Sequence, residues 1–376
     1  MKRINVGKLI TGKRVLYNKS ILINSGKITG IEDCEEENEL IAIPGFIDMH
    51  NHGGYGLDYM SEKIEDFEYL QKCQAKEGIT SMLATIGTVK KNLIEKAIRN
   101  IENYISNNNK NGAKILGIHM EGPFLSPNRL GVMNKDLLLD IDLELMDYWI
   151  NLSKNNIKMM TLAPELEGSK ELIELLVKNK IIASAGHSDA NSEEISNAIG
   201  YGLTQVTHMF NAMRPLHHRE LGILGESLTN DYLYSAMAGC DEYSIDPAIW
   251  KMAFKIKTSN KMILTTDAMI LKGLPNGKYK HMGKEIQMKD GFVYTNYHGE
   301  SRLPGKPMTF IQSIKNVMKN TGADLVDIVR MSSVNPAIRL NIDDHKGYLE
   351  CNYDADINIL DKNYNLIETY VEGNLQ

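Results

Sequence analysis

ITSMLAT (79–85), KKNLIEKAIRNIENYI (90–105) and KILGIHM (114–120) are the segments whose reading decides the fold. The first and last are short apolar runs of strand length. The middle segment places Ile94, Ala97, Ile98, Ile101 and Ile105 at helical spacing, which predicts an amphipathic helix. Strand, helix and strand make one βαβ unit. Outward from it the same alternation continues. Strand-like runs occur at IAIPGFIDMH (41–50), IKMMTLA (157–163), IIASAG (181–186), TQVTH (204–208), LYSAMA (233–238) and MILTTD (262–267). Helix patterns occur at IEDFEYLQKCQAKEG (64–78), SKELIELLVKNK (169–180) and SEEISNAIGYG (192–202). Gly78, Gly200 and Gly202 are expected to cap helix ends. Eight strands in β–α alternation predict an α/β fold, a (β/α)8 TIM-like barrel. A doubly wound sheet is the competing arrangement of the same pattern.

The two ends read differently. VLYNKSILINSGKITGIED (15–33) and KGYLECNYDADINILDKNYNLIETYVEG (346–373) are short strands broken by turn signals. They predict a small β-sandwich domain built from both termini, residues 1–44 and 345–376, around a barrel of residues 45–344. Composition sets further bounds. Hydrophobic residues are 43% and charged residues 24%, an ordinary globular balance. The net charge is −6 and no Lys/Arg cluster stands out, which argues against nucleic acid as a partner. No run of 18 apolar residues appears and the start lacks a signal-peptide pattern, so neither membrane nor export is expected. The four cysteines, Cys34, Cys73, Cys240 and Cys351, form no CxxC pair, which excludes a thiolate zinc site and fits a reducing cytoplasm.

Metal-competent residues stand at the predicted strand ends: His50 and His52 after the first, Glu121 after the third, His187 after the fifth, His208 after the sixth and Asp267 after the eighth. A barrel's strand ends converge on one face. In a strand, residues i and i+2 share a side, so His50 and His52 can both face the axis. Imidazole and carboxylate ligands suit Zn²⁺ or Fe²⁺ in an open catalytic site. Singly, each residue has a bland reading: His187 could cap a helix, Glu121 could be a loop charge, and Asp267 could be an N-cap. Their joint placement favours a metal site. His119 reads as a supporting or core residue, Met159 and Met160 as core, and His281, His298 and His345 as surface loop residues.

IPGFIDMHNHGGYG, GIHMEGPF, SAGHS, VTHMFNAMRPLHHRELG and LTTDAM occur in this order. Together they resemble the N-acetylglucosamine-6-phosphate deacetylases of the amidohydrolase superfamily, over nearly the whole chain, including the terminal DADINILD stretch. The resemblance implies a metal-dependent enzyme of amino-sugar catabolism, a cytoplasmic homodimer that removes acetate from an N-acetylated amino-sugar phosphate. It implies that Glu121, His187 and His208 are the principal metal ligands and that His50 and His52 allow a second ion, with Glu121 as bridge where many relatives use a carboxylated lysine. It implies one or two divalent ions per chain, with Asp267 as catalytic residue and further ligand. Asn211 and Ala212 match a segment that meets phosphate or sugar, Arg219 the phosphate-binding arginine, and Leu303, Pro304 and Gly305 a loop near the sugar.

Two stretches depart from the family. A histidine is expected about a dozen residues after Glu121, where this chain has Gly131, Val132 and Met133. A second is expected after the seventh strand, where a longer stretch places Ser244. Met133 cannot donate a hydrogen bond, so oxyanion stabilisation would fall to another group such as His119 or a backbone N–H. Three functions remain distinguishable: the deacetylase, an amidohydrolase of another N-acyl sugar or amide, and a non-catalytic relative. An intact ligand set argues against the last.

Overall fold

The computed structural model describes residues 1–107, 111–239, 244–281, 284–297, 300–302 and 307–376. Eight strands, each hydrogen-bonded in parallel to the next in chain order, form one sheet: Phe46–Asn51, Ile79–Ile86, Lys114–Glu121, Ile157–Leu162, Ile182–Ala185, Gln205–Val206, Tyr234–Ala238 and Met262–Thr265. At its top the first and eighth strands meet. Asp267 N–H donates to His50 O (2.9 Å) and His52 N–H to Ala268 O (2.8 Å), which closes the barrel. The helices alternate with the strands as the periodicity predicts. Lys91–Asn107, for example, buries Ile94, Ala97, Ile98, Ile101 and Tyr104 against the sheet. Helix Ser192–Tyr201 opens on a capping box of Asn191 and Glu194 and ends on left-handed Gly202. Gly78 also takes a left-handed turn after its helix, but Gly200 lies inside the last helical turn rather than after it.

Side chains two residues apart fill the barrel in layers. The lower layer is apolar: Met49, Leu83, Met159, Ile182, Ala236 and Ile263. Above it Thr85, His119, Thr161, Ser184 and Thr207 form a buried hydrogen-bonded layer. The next residues up are Glu121 and the histidines at the strand ends. Met160 faces the other way, into the core between sheet and helices.

The run 41–50 is not one strand. Ile41–Pro44 belongs to a second sheet and Phe46–Asn51 to the barrel. The switch falls at Gly45, where a Cβ would lie 2.2 Å from the Thr80 side chain. The second sheet has seven strands, with Lys2–Ile10, Val15–Asn24 and Lys27–Asp33 on one side of Ile41–Pro44, and Ile357–Leu360, Leu366–Val371 and Asn374–Leu375 on the other. It has its own core of Ile4, Val6, Leu9, Ile21, Ile23, Ile28 and neighbours. A third, antiparallel sheet (Gly277–His281, Lys284–Lys289, Phe292–Tyr297, Glu300–Arg302) follows the eighth strand. The sequence reading assigns loops there. His281 ends one of these strands, and His298 lies outside the described residues. His345 is half-buried in a turn, with 40% of its side chain exposed.

Candidate metal and active site

Six side chains from five strand ends meet at the top of the barrel in two groups. His50, His52 and Asp267 form one, and Glu121, His187 and His208 the other. In the second group His187 Nε2 lies 3.2 Å and His208 Nε2 3.0 Å from Glu121 Oε1. In the first, His50 and His52 Nε2 are 3.0 Å apart, and Asp267 Oδ1 is 3.4 Å and 3.7 Å from them. Glu121 joins the groups, because its Oε2 is 3.2 Å from His52 Nε2 while its Oε1 faces the other set. His50, Glu121, His187 and His208 are buried, whereas the His52 and Asp267 side chains are 21% and 30% exposed. The open side therefore lies at His52 and Asp267.

The first-strand histidines converge by a different route from plain alternation. The register against the second strand shifts between Asp48 and Asn51, so Met49 joins the apolar layer below while His50 and His52 still reach the site. Asp48 anchors this irregular stretch. Its buried carboxylate accepts from Thr266 Oγ1 (2.5 Å), Asn51 Nδ2 (3.0 Å) and the His50 N–H (3.3 Å). His187, His208 and Asp267 all have positive φ (49°, 33° and 49°). For residues other than glycine such strain costs about 1–3 kcal/mol each and collects at functional sites.

Electrostatics point to a cation. Burial pushes the His50 imidazole well below its ordinary pKa, against the pull of Glu121. Burial alone would lower His52 and His208 too, but the Glu121 hydrogen bond and charge raise both. Burial opposes the charge on Glu121, yet the surrounding imidazoles hold its carboxyl well below the usual range. Among the described residues neither Glu121 nor Asp267 pairs with Lys or Arg. Two Nε2–Nε2 approaches, 3.0 Å and 3.1 Å, leave facing lone pairs that a divalent ion would satisfy. His187 Nδ1–H donates to Arg129 O (3.0 Å), which turns the Nε2 lone pair inward. The residues fit a divalent metal.

The other predicted residues fall as follows. Met133 is 9% exposed, and a Cβ on Gly87 would lie 3.7 Å from His52 Cε1 and 4.0 Å from Met133 Cε, so the thioether sits beside the site. Val132 is half-buried, and Gly131 approaches His187 and Ala212. Asn211 N–H donates to His208 O (2.9 Å) and Ala212 O accepts from Ser188 N–H (3.2 Å), which fixes that segment to the His187 and His208 loops. Arg219 is exposed at the tip of a turn closed by His217 and Glu220, and among the described residues it makes no ion pair. Ser244 is half-buried three residues before helix Pro247–Lys257. Leu303, Pro304, Gly305 and Cys240 lie outside the described residues.

His119 supports the site without reaching it. It is fully buried, edge-on to His50 with ring centroids 4.6 Å apart, and its nitrogens face Thr85 (3.4 Å) and Thr161 (2.8 Å). It therefore has no free donor for an oxyanion. The sequence reading did not single out Asp48, Arg129, Asp189 or Lys272. Asp48 and Lys272 carried a signal: each is a charge inside an apolar run, FIDM and MILKG, where only a paired charge can stay.

Barrel, terminal sheet and mixed histidine–carboxylate centre together define a class, and the chain belongs to the amidohydrolase family, whose model matches residues 41–375. Among curated relatives, the N-acetylglucosamine-6-phosphate deacetylase of Bacillus subtilis (strain 168) is 34% identical over 379 residues, covering 98% of this chain and 95% of the relative. The N-acetylgalactosamine-6-phosphate deacetylase of Escherichia coli O157:H7 is 29% identical, covering 98% of this chain and 97% of the relative. The solved N-acetylglucosamine-6-phosphate deacetylase of Thermotoga maritima superposes with a TM-score of 0.90 at 29% identity, covering 100% of this chain and 99% of that one. No helix among the described residues is long and apolar enough to cross a membrane.

Proposed function

We propose that this chain hydrolyses the acetamido group of N-acetylglucosamine-6-phosphate, giving glucosamine-6-phosphate and acetate. The observation that carries the reading is the pair of three-residue groups sharing the two oxygens of Glu121, with Asp267 at the open edge. The similarity to two deacetylases of 6-phosphorylated N-acetylamino sugars supplies the substrate class. A divalent ion held here, Zn²⁺ or Fe²⁺, supplies a water whose pKa falls toward about 7. Two ions per chain fit the two groups.

Asp267 Oδ1 faces both first-strand histidines and is open to the substrate side. It takes the proton of the attacking water and returns it to the amine nitrogen as the C–N bond breaks. Positioned proton transfer of this kind contributes about 10²–10⁴-fold. Arg219 holds the phosphate with its free guanidinium fork. The Asn211–Ala212 segment, pinned to the His187 and His208 loops, meets the sugar together with Val132, Met133 and Ser244, and Leu303, Pro304 and Gly305 are further substrate contacts. We assign residues 1–44 and 345–376 to the terminal β domain and 45–344 to the barrel. The protein acts as a cytoplasmic homodimer.

A second reading follows from Met133, whose buried thioether beside His52 gives a site without a side-chain donor at that point. On this reading the same barrel hydrolyses a different N-acyl sugar or amide. One assay separates the two. Purified protein is given N-acetylglucosamine-6-phosphate, its galacto epimer and the unphosphorylated sugars, and free acetate is counted. Fast release from a phosphorylated sugar alone supports the first reading; equal or no release overturns it.

A further inference from the structure

Lys272 lies five residues after Asp267 and its side chain is 1% exposed. Its Nζ donates to Gln74 Oε1 (2.6 Å) and Glu77 Oε2 (2.9 Å), both buried at the end of the helix that follows the first strand. A buried ion pair of this kind rarely adds stability over apolar packing, and its best-attested role is to fix register. Here there is a register to fix. The segments 50–56 and 267–272 run side by side beyond the ladder. Asp267 N–H donates to His50 O (2.9 Å), His52 N–H to Ala268 O (2.8 Å), Gly56 N–H to Ile270 O (2.8 Å) and Tyr55 N–H to Lys272 O (2.6 Å).

Lys272 sits at the far end of this strip and reaches back under it. A Cβ on Gly54 would lie 2.9 Å from Lys272 Cε, so glycine there makes room for the side chain. Gln74, held by Lys272, donates to Asn51 Oδ1 (3.3 Å), and Asn51 donates to Asp48 (3.0 Å) and Thr266 (3.2 Å). The path thus ends on residues adjoining His50, His52 and Asp267. Glu77 also accepts from the Tyr55 hydroxyl. The Glu121, His187 and His208 side chains take no part in it. His187 is instead held by the Arg129 carbonyl, whose own side chain pairs with Asp189 (2.6 Å).

We propose that the Lys272–Glu77 pair is a positioning device for one half of the metal centre: it sets His50, His52 and Asp267 as a unit, by a path that bypasses His187 and His208. The inference rests on the two-group reading of the site given above. The two halves of the centre are then separately adjustable, and the second ion can be lost without the first.

The test is a zinc titration of the chelator-treated full chain against a chromogenic competitor. Wild type is compared with Lys272→Met and with Lys272→Met/Glu77→Gln. The double variant removes both charges, so it leaves no buried carboxylate unpaired if the single variant fails to fold. In wild type two binding events are expected; a single event there overturns the two-group reading itself, before any variant is judged. Given two events, the variants should keep the tighter one within threefold and weaken the other at least tenfold. Restoring excess zinc should recover part of the lost kcat with KM unchanged. Two unchanged affinities, or both falling together, overturn the proposal.

Discussion

Two buried ionic clusters stand at opposite parts of this molecule, and they are built on opposite principles. At the seam between barrel and terminal sheet, Lys346 lies 2.8 Å from Asp354 and 2.7 Å from Asp356. Lys27 pairs with the other oxygen of Asp354 (2.6 Å), and the Glu372 N–H donates to Asp356 (2.8 Å). Two cations meet two anions, and every carboxylate oxygen has a partner. At the barrel mouth two carboxylates meet four imidazoles with no lysine or arginine among the described partners. Both clusters have buried charges at their centre, Lys346 with Asp354 and Asp356 in one and Glu121 in the other, so burial alone does not mark function. The closed cluster satisfies itself and holds two parts of the chain together. The open one has spare lone pairs and strained backbone, and needs a ligand from outside.

The first way to break this comparison is at Asp267. Asp267→Asn keeps the shape but cannot carry a proton, so kcat should fall about 10²–10⁴-fold while the melting temperature stays near wild type. Acetate release and a thermal scan on one preparation check both halves. Unchanged kcat would remove Asp267 from the chemistry. Chelation belongs to the same test: activity should vanish, and a metal-free preparation with full activity would end the reading of the site.

Lys346→Met is the mirror experiment. It leaves Asp356 without a cation and Asp354 with Lys27 alone, and breaking a buried pair costs about 3–5 kcal/mol, read from urea midpoints. The kcat of the folded fraction should stay the same. Burial by itself would lower the Lys346 pKa, but Asp356 and Asp354 hold it above its ordinary 10.5. A raised lysine gives its full stabilisation below the unfolded value. The wild-type advantage should therefore persist through neutral pH and shrink only as pH climbs beyond about 10.5. A loss of advantage near pH 7 would contradict the pairing.

Within the open site the next effect is smaller. Arg219→Ala should cost about 1.5–3 kcal/mol on the 6-phosphorylated sugar, about ten- to more than a hundredfold in kcat/KM, and little on the plain sugar. Equal losses on both would make Arg219 structural. Smaller again is Asp189→Asn. Asp189 steadies Arg129, whose carbonyl orients His187, and partners of metal ligands typically change affinity by about 10–100-fold. Being one step further out, it should sit at the lower end of that range in zinc affinity and leave the His50–His52 half untouched.

The open site was more legible in the sequence than the closed one, for a physical reason. A barrel brings successive strand ends to one face, so His50, Glu121, His187, His208 and Asp267 could be grouped by position alone. Lys346, Lys27 and Asp354 come from both ends of the chain, and no local pattern tells which charges will meet. The split of run 41–50 was hidden because both halves are apolar and only the close approach of Gly45 to Thr80 separates them. The sheet at 277–302 did carry a signal. Asp290-Gly291 joins Lys289 to Phe292 with both turn residues at positive φ (54° and 79°), the signature of a tight hairpin. The bulge in the first strand had none, since the i, i+2 rule alone would also bring His50 and His52 together.

The smallest expected effect is also the one that decides between the two functional readings. Met133 is buried beside His52, at the point where the family is expected to carry a histidine. If the pocket serves N-acetylglucosamine-6-phosphate, a histidine ring there would meet polar substrate groups that a thioether leaves unpaired. Met133→His should then raise kcat/KM on that substrate by up to about tenfold, or leave it unchanged, since one neutral hydrogen bond nets about 0.5–1.5 kcal/mol. If the pocket has been reshaped for an apolar acyl group, the ring nitrogens would be buried without partners. That costs about 1–3 kcal/mol, and activity on every amide substrate should drop. Zinc affinity serves as the control, because residue 133 and His52 both border Gly87 and an added imidazole could disturb the metal half of the site. A rise in kcat/KM with unchanged zinc affinity places the substituted ring on the sugar. A fall on the sugar phosphate, with metal intact, moves the function to the other amide.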